Sequence, residues 1–581
     1  MKVILFYLWL LGLSTCQFPR VEQNLPIIES IRLNQWGFYP DQPKRAVVID
    51  EQGSSDFMIW DHLNERVVFR GEVVLVKEKT LSGKSVGLID FSNFTSSGEF
   101  QVILPGKGKS HKFKIEKKVN QDLAIASLKA YYFQRASTSI SEPYGGIWAR
   151  PAGHPDDQVE VHASAASQER PEGTVVSAPY GWYDAGDYNK YIVNSGITMG
   201  TLLSLFEDFP TYFQNQNLKI PESSNLLPDI LDEIKWNLDW MLAMQDPLDG
   251  GVYHKLTTVK FEGMVMPEEA KAQRFLVFKS TAAALDFAAV MAQASRVYRD
   301  FTPEDALVYL KAAEKAWAWA KRNPDQYYQQ DELNNTFKPE VFTGAYGDQN
   351  LTDEWIWAAS ELYITTHNLR YWEALKKSDQ AFKLPAWPTV SWLGYYSLIR
   401  HAGQLNHLPE EWLSVLKINL LDEARELVKM ANQVAYKMPM GIKERDFGWG
   451  GNSVAANQGI LLLYAYQLTG EEIFKTNAQD NLDYLLGRNA TGYSFVTGFG
   501  SRTPMNPHHR LAAARPDLPP IPGFLVGGPN PGQQDDCDYP SDVADESYVD
   551  DYCSYASNEI AINWNAPFAY LTNALEALNE K

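Results

Sequence analysis

Ser280-Thr281-Ala282-Ala283-Ala284-Leu285-Asp286-Phe287-Ala288-Ala289-Val290-Met291-Ala292 is rich in Ala and Leu, and its apolar positions recur at helical spacing. Segments of the same texture recur from Gln121 to the C-terminus. The periodicity predicts twelve helices, at 121–136, 192–208, 227–244, 279–298, 304–321, 353–366, 369–381, 390–402, 418–436, 453–468, 471–486 and 559–578. Twelve similar helices can pair as six hairpins around a closed ring. Long loops remain at 137–190, 322–352 and 487–557. Loops of that length in a compact domain usually hold function.

Upstream the pattern is short and strand-like. Arg45–Asp50, Phe57–Asp61, Arg66–Val76, Ser85–Phe94, Glu99–Leu104 and Lys112–Glu116 are β-branched or aromatic runs separated by turn residues. That spacing fits a β-sandwich of about seven strands. No titratable cluster stands out there, so a packing or positioning module is expected.

The chain has 581 residues, 45% hydrophobic and 21% charged, which excludes disorder as the main state. Lys+Arg number 52 and Asp+Glu 72, a formal charge of −20 that repels polyanions and argues against nucleic acid as a partner. Aromatics reach 13%, with 17 Trp and 30 Tyr, rings suited to sugar stacking or to a large core.

Met1–Thr15 carries Lys2 and then an apolar run too short to span a bilayer comfortably, the pattern of an export signal at 1–15. Leu13-Ser14-Thr15-Cys16 resembles a bacterial lipobox with Cys16 as the lipidated residue. Ordinary secretion is the alternative. The expectation is an exported protein at the outer surface or in the periplasm, touching membrane only through its anchor. If Cys16 carries lipid, Cys537 and Cys553 are left to pair or to stay free thiols.

The first long loop ends Gly181-Trp182-Tyr183-Asp184-Ala185-Gly186-Asp187-Tyr188. Two Asp three apart can point into one cavity, where close carboxylates hold and activate a water. Taken alone, the stretch also reads as an Asx turn and helix cap. The last loop holds Tyr548, Asp550, Tyr555, Asn558 and Glu559. Glu559 opens the last helix, where an acid often only balances the dipole. Trp564 and Tyr555 would make its surroundings partly apolar and raise its pKa toward that of a general acid. Pro507-His508-His509-Arg510 supplies donors for sugar hydroxyls and a guanidinium for a carboxylate, or a surface ion pair. Trp182 and Trp449, the latter in Gly448-Trp449-Gly450-Gly451-Asn452, are candidate sugar platforms, with core packing as the alternative.

Together these segments resemble family 9 glycoside hydrolases, inverting cellulases with an N-terminal immunoglobulin-like domain. Ser494–Thr497 to Gly500, Arg502 and Pro507-His508-x-Arg510 fit the family's His-containing pattern. Tyr548-x-Asp550, Tyr555, Glu559, Ala561 and Asn565-Ala566 fit its C-terminal carboxylate pattern, and Gly181–Tyr188 fits a third motif. The resemblance implies an immunoglobulin-like β-sandwich at 26–117 followed by an all-α (α/α)6 barrel at 119–581. It implies Asp187 as general base, Asp184 as a second holder of the water and Glu559 as general acid. His508, Arg510 and Asp550 would line subsites, joined by the rings of Trp182, Trp449, Tyr555 and Trp564. Inversion needs two carboxyls about 6.5–9.5 Å apart with a water between base and sugar.

The resemblance has departures. Relatives often hold zinc near the barrel start, whereas the matching stretches here read Gln134-Arg135-Ala136-Ser137 and Pro151-Ala152-Gly153-His154, without Cys. Zinc wants several soft ligands, so the site is expected to be lost. Asp353 and Glu354, in Thr352-Asp353-Glu354-Trp355, resemble a family calcium site or serve as N-terminal helix charges. No cofactor is expected for the chemistry itself. Position 564 is Trp where many relatives have Tyr.

Three functions follow as expectations. One is an endo-β-1,4-glucanase on cellulose-like or decorated β-glucans such as xyloglucan. Another is an exo-acting cellodextrinase or glucosaminidase-type enzyme on short oligosaccharides, with 516–547 as a candidate cleft blocker. The third is a glycan-binding lipoprotein without catalysis, which Asp184, Asp187 and Glu559 argue against. A monomer is expected, with no further carbohydrate-binding module after the barrel.

Overall fold

The computed structural model describes residues 25–53, 55–442 and 446–580. The signal at 1–15 and Cys16 lie outside the described residues.

Nine strands build the N-terminal module: β1 (Ile31–Leu33), β2 (Gly37–Phe38), β3 (Arg45–Ile49), β4 (Ser55–Asp61), β5 (Arg66–Leu75), β6 (Val86–Asp90), β7 (Gly98–Leu104), β8 (Gly108–Lys109) and β9 (Phe113–Ile115). The hydrogen-bonded path runs β1-β3-β6-β5-β4-β7-β9-β2. The long β5 belongs to both layers, pairing with β4 over Arg66–Val73 and with β6 at Val74–Leu75. Between the layers lie Phe38, Val48, Phe57, Ile59, Ile89, Phe100, Val102 and Phe113, the inward residues of alternating strands.

Among the described residues twelve helices make the barrel of the second module: α1 (Gln121–Gln134), α2 (Ile192–Asp208), α3 (Asp229–Ala243), α4 (Thr281–Tyr298), α5 (Pro303–Arg322), α6 (Thr352–Thr366), α7 (Leu369–Leu375), α8 (Ser391–His401), α9 (Glu410–Ala431), α10 (Gly451–Thr469), α11 (Glu472–Leu485) and α12 (Ile562–Asn579), and short helices at Glu142–Gly145, Pro210–Phe213, Gln330–Thr336 and Arg510–Ala513 lie in its loops. They alternate outer and inner along the chain, the even-numbered helices forming the inner ring of an (α/α)6 barrel. Burial explains the order. α2 buries every residue from Ile192 to Phe206, and α4 nearly all of its length. Outer α9 buries only Leu416, Leu420, Ala424, Leu427 and Ala431, one stripe at helical spacing. Ala- and Gly-rich inner helices let neighbours approach: a Cβ at Gly200 would stand 2.5 Å from the Trp357 ring.

Several boundaries differ from the sequence reading. α9 starts at Glu410 rather than 418, behind Pro409 and with two acids in its first turn. α7 stops at Leu375 rather than 381. A second sheet escaped the reading, ordered β11 (Val175–Val176), β10 (Val159–Val161), β14 (Phe275–Lys279), β13 (Tyr253–Thr257) and β12 (Lys190–Tyr191). Its strands are two to five residues long and too short to show a period.

The modules are joined by specific bonds. The Tyr39 hydroxyl donates to Glu576 at 2.6 Å, and Asn34 donates to Asp483 at 2.9 Å. Gln35 accepts from the amides of Ser501 and Arg502 at 3.0 and 2.8 Å and donates to Gly492 O at 2.7 Å. The sandwich thus braces the loop that leads to His508. Cys537 and Cys553 form a disulfide with an S–S distance of 2.01 Å.

Hydrogen bonds join the stretches Gln134–Ser137 and Pro151–His154. Ser137 donates from its amide to Gly153 O at 3.0 Å and from its hydroxyl to His154 O at 2.9 Å. The imidazole of His154 bonds the Tyr183 hydroxyl at 2.9 Å, and Arg135 pairs with Glu222 and Glu233.

Candidate active site

The loop Asp184–Asn189 leaves the barrel wall just before β12, and its conformation is set by its own short side chains. Asp184 accepts from Asn194 on α2 at 2.6 Å and from the Tyr346 hydroxyl at 2.8 Å, so both of its oxygens are engaged. Asp187 is held through one oxygen only. Its Oδ2 accepts from the Asn189 side-chain amide at 2.5 Å, the Asn189 backbone at 3.2 Å and the Tyr191 hydroxyl at 3.3 Å. Among the described residues no protein donor reaches Oδ1.

Gly186 lies between the two acids and ties the site together. Its amide donates to Glu559 Oε1 at 3.3 Å, and its carbonyl accepts from the Arg510 amide and guanidinium at 3.1 and 2.8 Å. A Cβ at this position would lie 2.2 Å from His508 O, 3.0 Å from the His508 ring and 3.1 Å from Glu559. Glycine is therefore required by close approach. His508 and Glu559 pair as a parallel bridge, and His508 N donates to Asn558 O at 2.9 Å. This long-range pairing corrects the reading of Glu559 as the first residue of a helix: the residue is extended, and α12 begins at Ile562.

Asp184, Asp187 and Glu559 border one cavity of about 640 Å³. Trp564, Trp387 and Phe342 share its lining with half-exposed Trp449 and Phe261. Burial pushes the Glu559 carboxyl well above the usual range; the charge of Asp187 adds to this and the Arg510 guanidinium opposes it. Burial and Asp187 raise Asp184 to about 8, against the bonds from Asn194 and Tyr346. A cavity of about 710 Å³ at the far end of α2 carries no such chemistry. Its Asp208 is spent on Arg400 and the hydroxyls of Tyr464 and Tyr570.

The remaining candidates fall in different places. Tyr555 packs on Trp449 at 5.3 Å and on His508 at 5.9 Å, at the cavity margin. His508 bonds Tyr552 O through Nδ1 at 2.6 Å. Arg510 is buried behind the acids, its guanidinium 5.7 Å from the Phe261 ring centre. Two expectations are corrected. Trp182 is fully buried, packed at a tilt against Tyr131 and bonded to Glu233 at 2.8 Å, so it is core and no sugar platform. Asp550 turns both oxygens inward, accepting from the amides of Met505 and Asn506 at 2.8 Å each and from Asn558 at 3.1 Å. It shapes the loop that carries His508 and does not line the cavity. No residue of 516–547 lines it either. Asn189, Tyr191, Asn194 and Tyr346 were not singled out in the sequence. Asn189 and Tyr346 carried a signal, their places in the long loops 137–190 and 322–352.

Comparison with known proteins identifies the family. The sequence pattern of Glycosyl hydrolase family 9 matches residues 121–572, and that of the Cellulase N-terminal ig-like domain matches 28–109. The chain belongs to glycosyl hydrolase family 9. It is 49% identical over 555 residues to a xyloglucan-specific endo-beta-1,4-glucanase of Bacteroides ovatus, covering 95% of this chain and 94% of that one. It is 32% identical to Endoglucanase D of Acetivibrio thermocellus, covering 95% and 84%. A solved structure described as Bacteroides ovatus GH9 superposes with a TM-score of 0.89 at 47% identity, covering 95% of this chain and 99% of that one.

Proposed function

We propose that the protein is an inverting endo-β-1,4-glucanase acting on xyloglucan or a similarly decorated β-1,4-glucan. One observation carries the reading: Asp187, with Oδ2 tied and Oδ1 free of protein donors, shares a cavity with Glu559, whose surroundings favour the protonated form. A water held at Oδ1 attacks the anomeric carbon as Asp187 takes its proton. Glu559 gives its proton to the departing glycosidic oxygen, and the bond between that oxygen and the anomeric carbon breaks. The product has inverted configuration. Asp184, fixed by Asn194 and Tyr346, stands beside the same water. The half-exposed rings Trp449, Phe261 and Phe342 offer flat apolar surface for sugar faces. The absence of 516–547 from the cavity lining supports internal cleavage, and the relative of Bacteroides ovatus supports a xylosylated chain. The test is product profiling on xyloglucan, carboxymethyl-cellulose and mixed-linkage glucan, with the first anomer read by NMR. Retained configuration refutes the mechanism; release of short ends alone refutes internal cleavage.

We also propose a structural cation beside Glu354. Both oxygens of Asp286, both of Glu354 and one of Asp348 are buried without a partner. Burial pushes the carboxyls of Asp286 and Glu354 well up, and the charges of Asp353 and Asp348 add to this. Among the described residues no three such side chains form a finished coordination sphere. The unpartnered buried oxygens are what support the fit, and hard oxygens suit calcium. An ion there would fasten Asp348, two residues after Tyr346, to α4 and α6. Export and lipid anchoring at Cys16 complete the reading, supported by the disulfide, which belongs to an oxidising compartment. Loss of lipid labelling in Cys16→Ala tests the anchor.

A further inference from the structure

Lys255 on β13 is fully buried, yet among the described residues no carboxylate pairs with it. Its ammonium donates to Gln330 Oε1 at 2.7 Å, Gly344 O at 2.8 Å and Thr343 Oγ1 at 3.3 Å. Burying an unpaired charge is costly, so a reason for its retention has to be sought. Burial pushes the ammonium well below its ordinary range, and the Asp187 charge opposes this only in part. Three acceptors need three hydrogens, which only the charged form carries.

Two chains lead away from it, and both end on the same atom. In the first, the Thr343 hydroxyl meets that of Thr257 at 2.7 Å, Thr257 donates to Asn189 Oδ1 at 3.0 Å, and Asn189 Nδ2 donates to Asp187 Oδ2 at 2.5 Å. In the second, Lys255 holds Gly344 by its carbonyl, the Gly344 amide on the preceding peptide donates to the Tyr191 hydroxyl at 3.1 Å, and that hydroxyl donates to Asp187 Oδ2 at 3.3 Å, a path that runs through the backbone of Gly344. An ammonium cannot accept a hydrogen bond. Thr343 must therefore accept from Lys255 and pass its own proton to Thr257, which passes its proton to Asn189. The cation at the head thus orients the Thr343 and Thr257 hydroxyls, and Thr257 joins the Thr258 amide, at 3.0 Å, in donating to Asn189 Oδ1 and keeping the Asn189 NH2 toward the carboxylate.

We propose that Lys255 is a positioning residue for Asp187, the head of two hydrogen-bond chains that converge on Oδ2 and so leave Oδ1 as the oxygen that meets water. The inference rests on the reading of Asp187 as general base. Lys255 and the hydroxyls of Thr257 and Thr343 are buried, and Lys255 does not line the cavity. Thr343, Gly344 and Tyr191 do border the cavity, so orientation is separated from sugar binding by reading kcat and KM apart.

The test uses the whole chain on xyloglucan. Thr343→Val keeps the shape and removes one link; Thr343→Ser keeps the hydroxyl. Thr343→Val is expected to lower kcat about tenfold, part of the roughly hundredfold loss that a 1 Å misplacement can bring, with a smaller change in KM. Thr343→Ser should restore turnover, and Lys255→Met should cost more than Thr343→Val. In an Asp187→Ala background, Thr343→Val should have no further effect. Near-full activity of Asp187→Ala overturns the functional reading. An inactive Asp187→Ala with a wild-type-like Thr343→Val, or equal losses in the Ser and Val variants, overturns the inference alone. If Lys255→Met fails to fold, the Thr343 pair still decides.

Discussion

Replacing Gly186 with Ala adds one methyl group at the point where three segments meet. Its carbon would stand 2.2 Å from His508 O and 3.1 Å from Glu559 Oε1. An ordinary carbon–oxygen contact is about 3.2 Å or more, so the strand carrying His508 and Glu559 must retreat from the Asp184–Asp187 loop by about 1 Å. The backbone around Gly186 lies outside the left-handed region, so the whole cost is steric. Three bonds cross this gap, from the Arg510 amide, the Arg510 guanidinium and the Gly186 amide. A 1 Å displacement between the two acids is expected to cut kcat roughly a hundredfold. Overpacking should cost about 1–3 kcal/mol of stability, leaving a folded protein. The assay is initial release of reducing ends from xyloglucan, with thermal melting as control. A variant within about threefold of wild type would show that the acids need not be held at this spacing, and the reasoning would fail.

Asp187→Ala and Glu559→Ala should each lose about 10²–10⁴-fold in turnover with unchanged melting. Glu559→Gln, unlike Asp187→Ala, should regain much of its rate on a dinitrophenyl glycoside, whose leaving group needs no proton. The alkaline limb of kcat/KM should lie well above the ordinary carboxylate value of about 4.3, because Glu559 is raised and must stay protonated; a limb near that value would contradict the assignment. Asp184, raised to about 8, favours folding in its neutral form. That contribution is complete below its unfolded value near 4 and is lost as pH rises to about 8, so wild-type melting should fall across this window more than that of Asp184→Asn. Chelation should lower the melting temperature and calcium should restore it, since an ion at a hundred times its dissociation constant adds about 2.7 kcal/mol; no response to chelator refutes the cation. Trp449→Ala should raise KM on polymer with little loss of folding, as expected of a half-exposed ring; an unchanged KM denies it a sugar-stacking role.

The sequence alone determined the twelve helices and their order, because burial on one stripe or on all sides writes a period into local composition. Ser280–Ala292 became the inner helix α4, and the β-branched runs before Lys117 became the sandwich strands. Caps and ends such as Glu410 and Leu375 depend on contacts a few residues wide and were less legible. The Asp184–Asp187 spacing was visible, but a sequence does not say which way a ring or carboxylate faces. Trp182 turned into the core and Asp550 into its own loop for that reason. Only the tertiary structure decided that Gly186 joins Asp187, His508 and Glu559, and that Lys255, Thr343 and Tyr346 stand behind them. These partners lie tens to hundreds of residues apart, and their hydrogen bonds exist only once the barrel has closed.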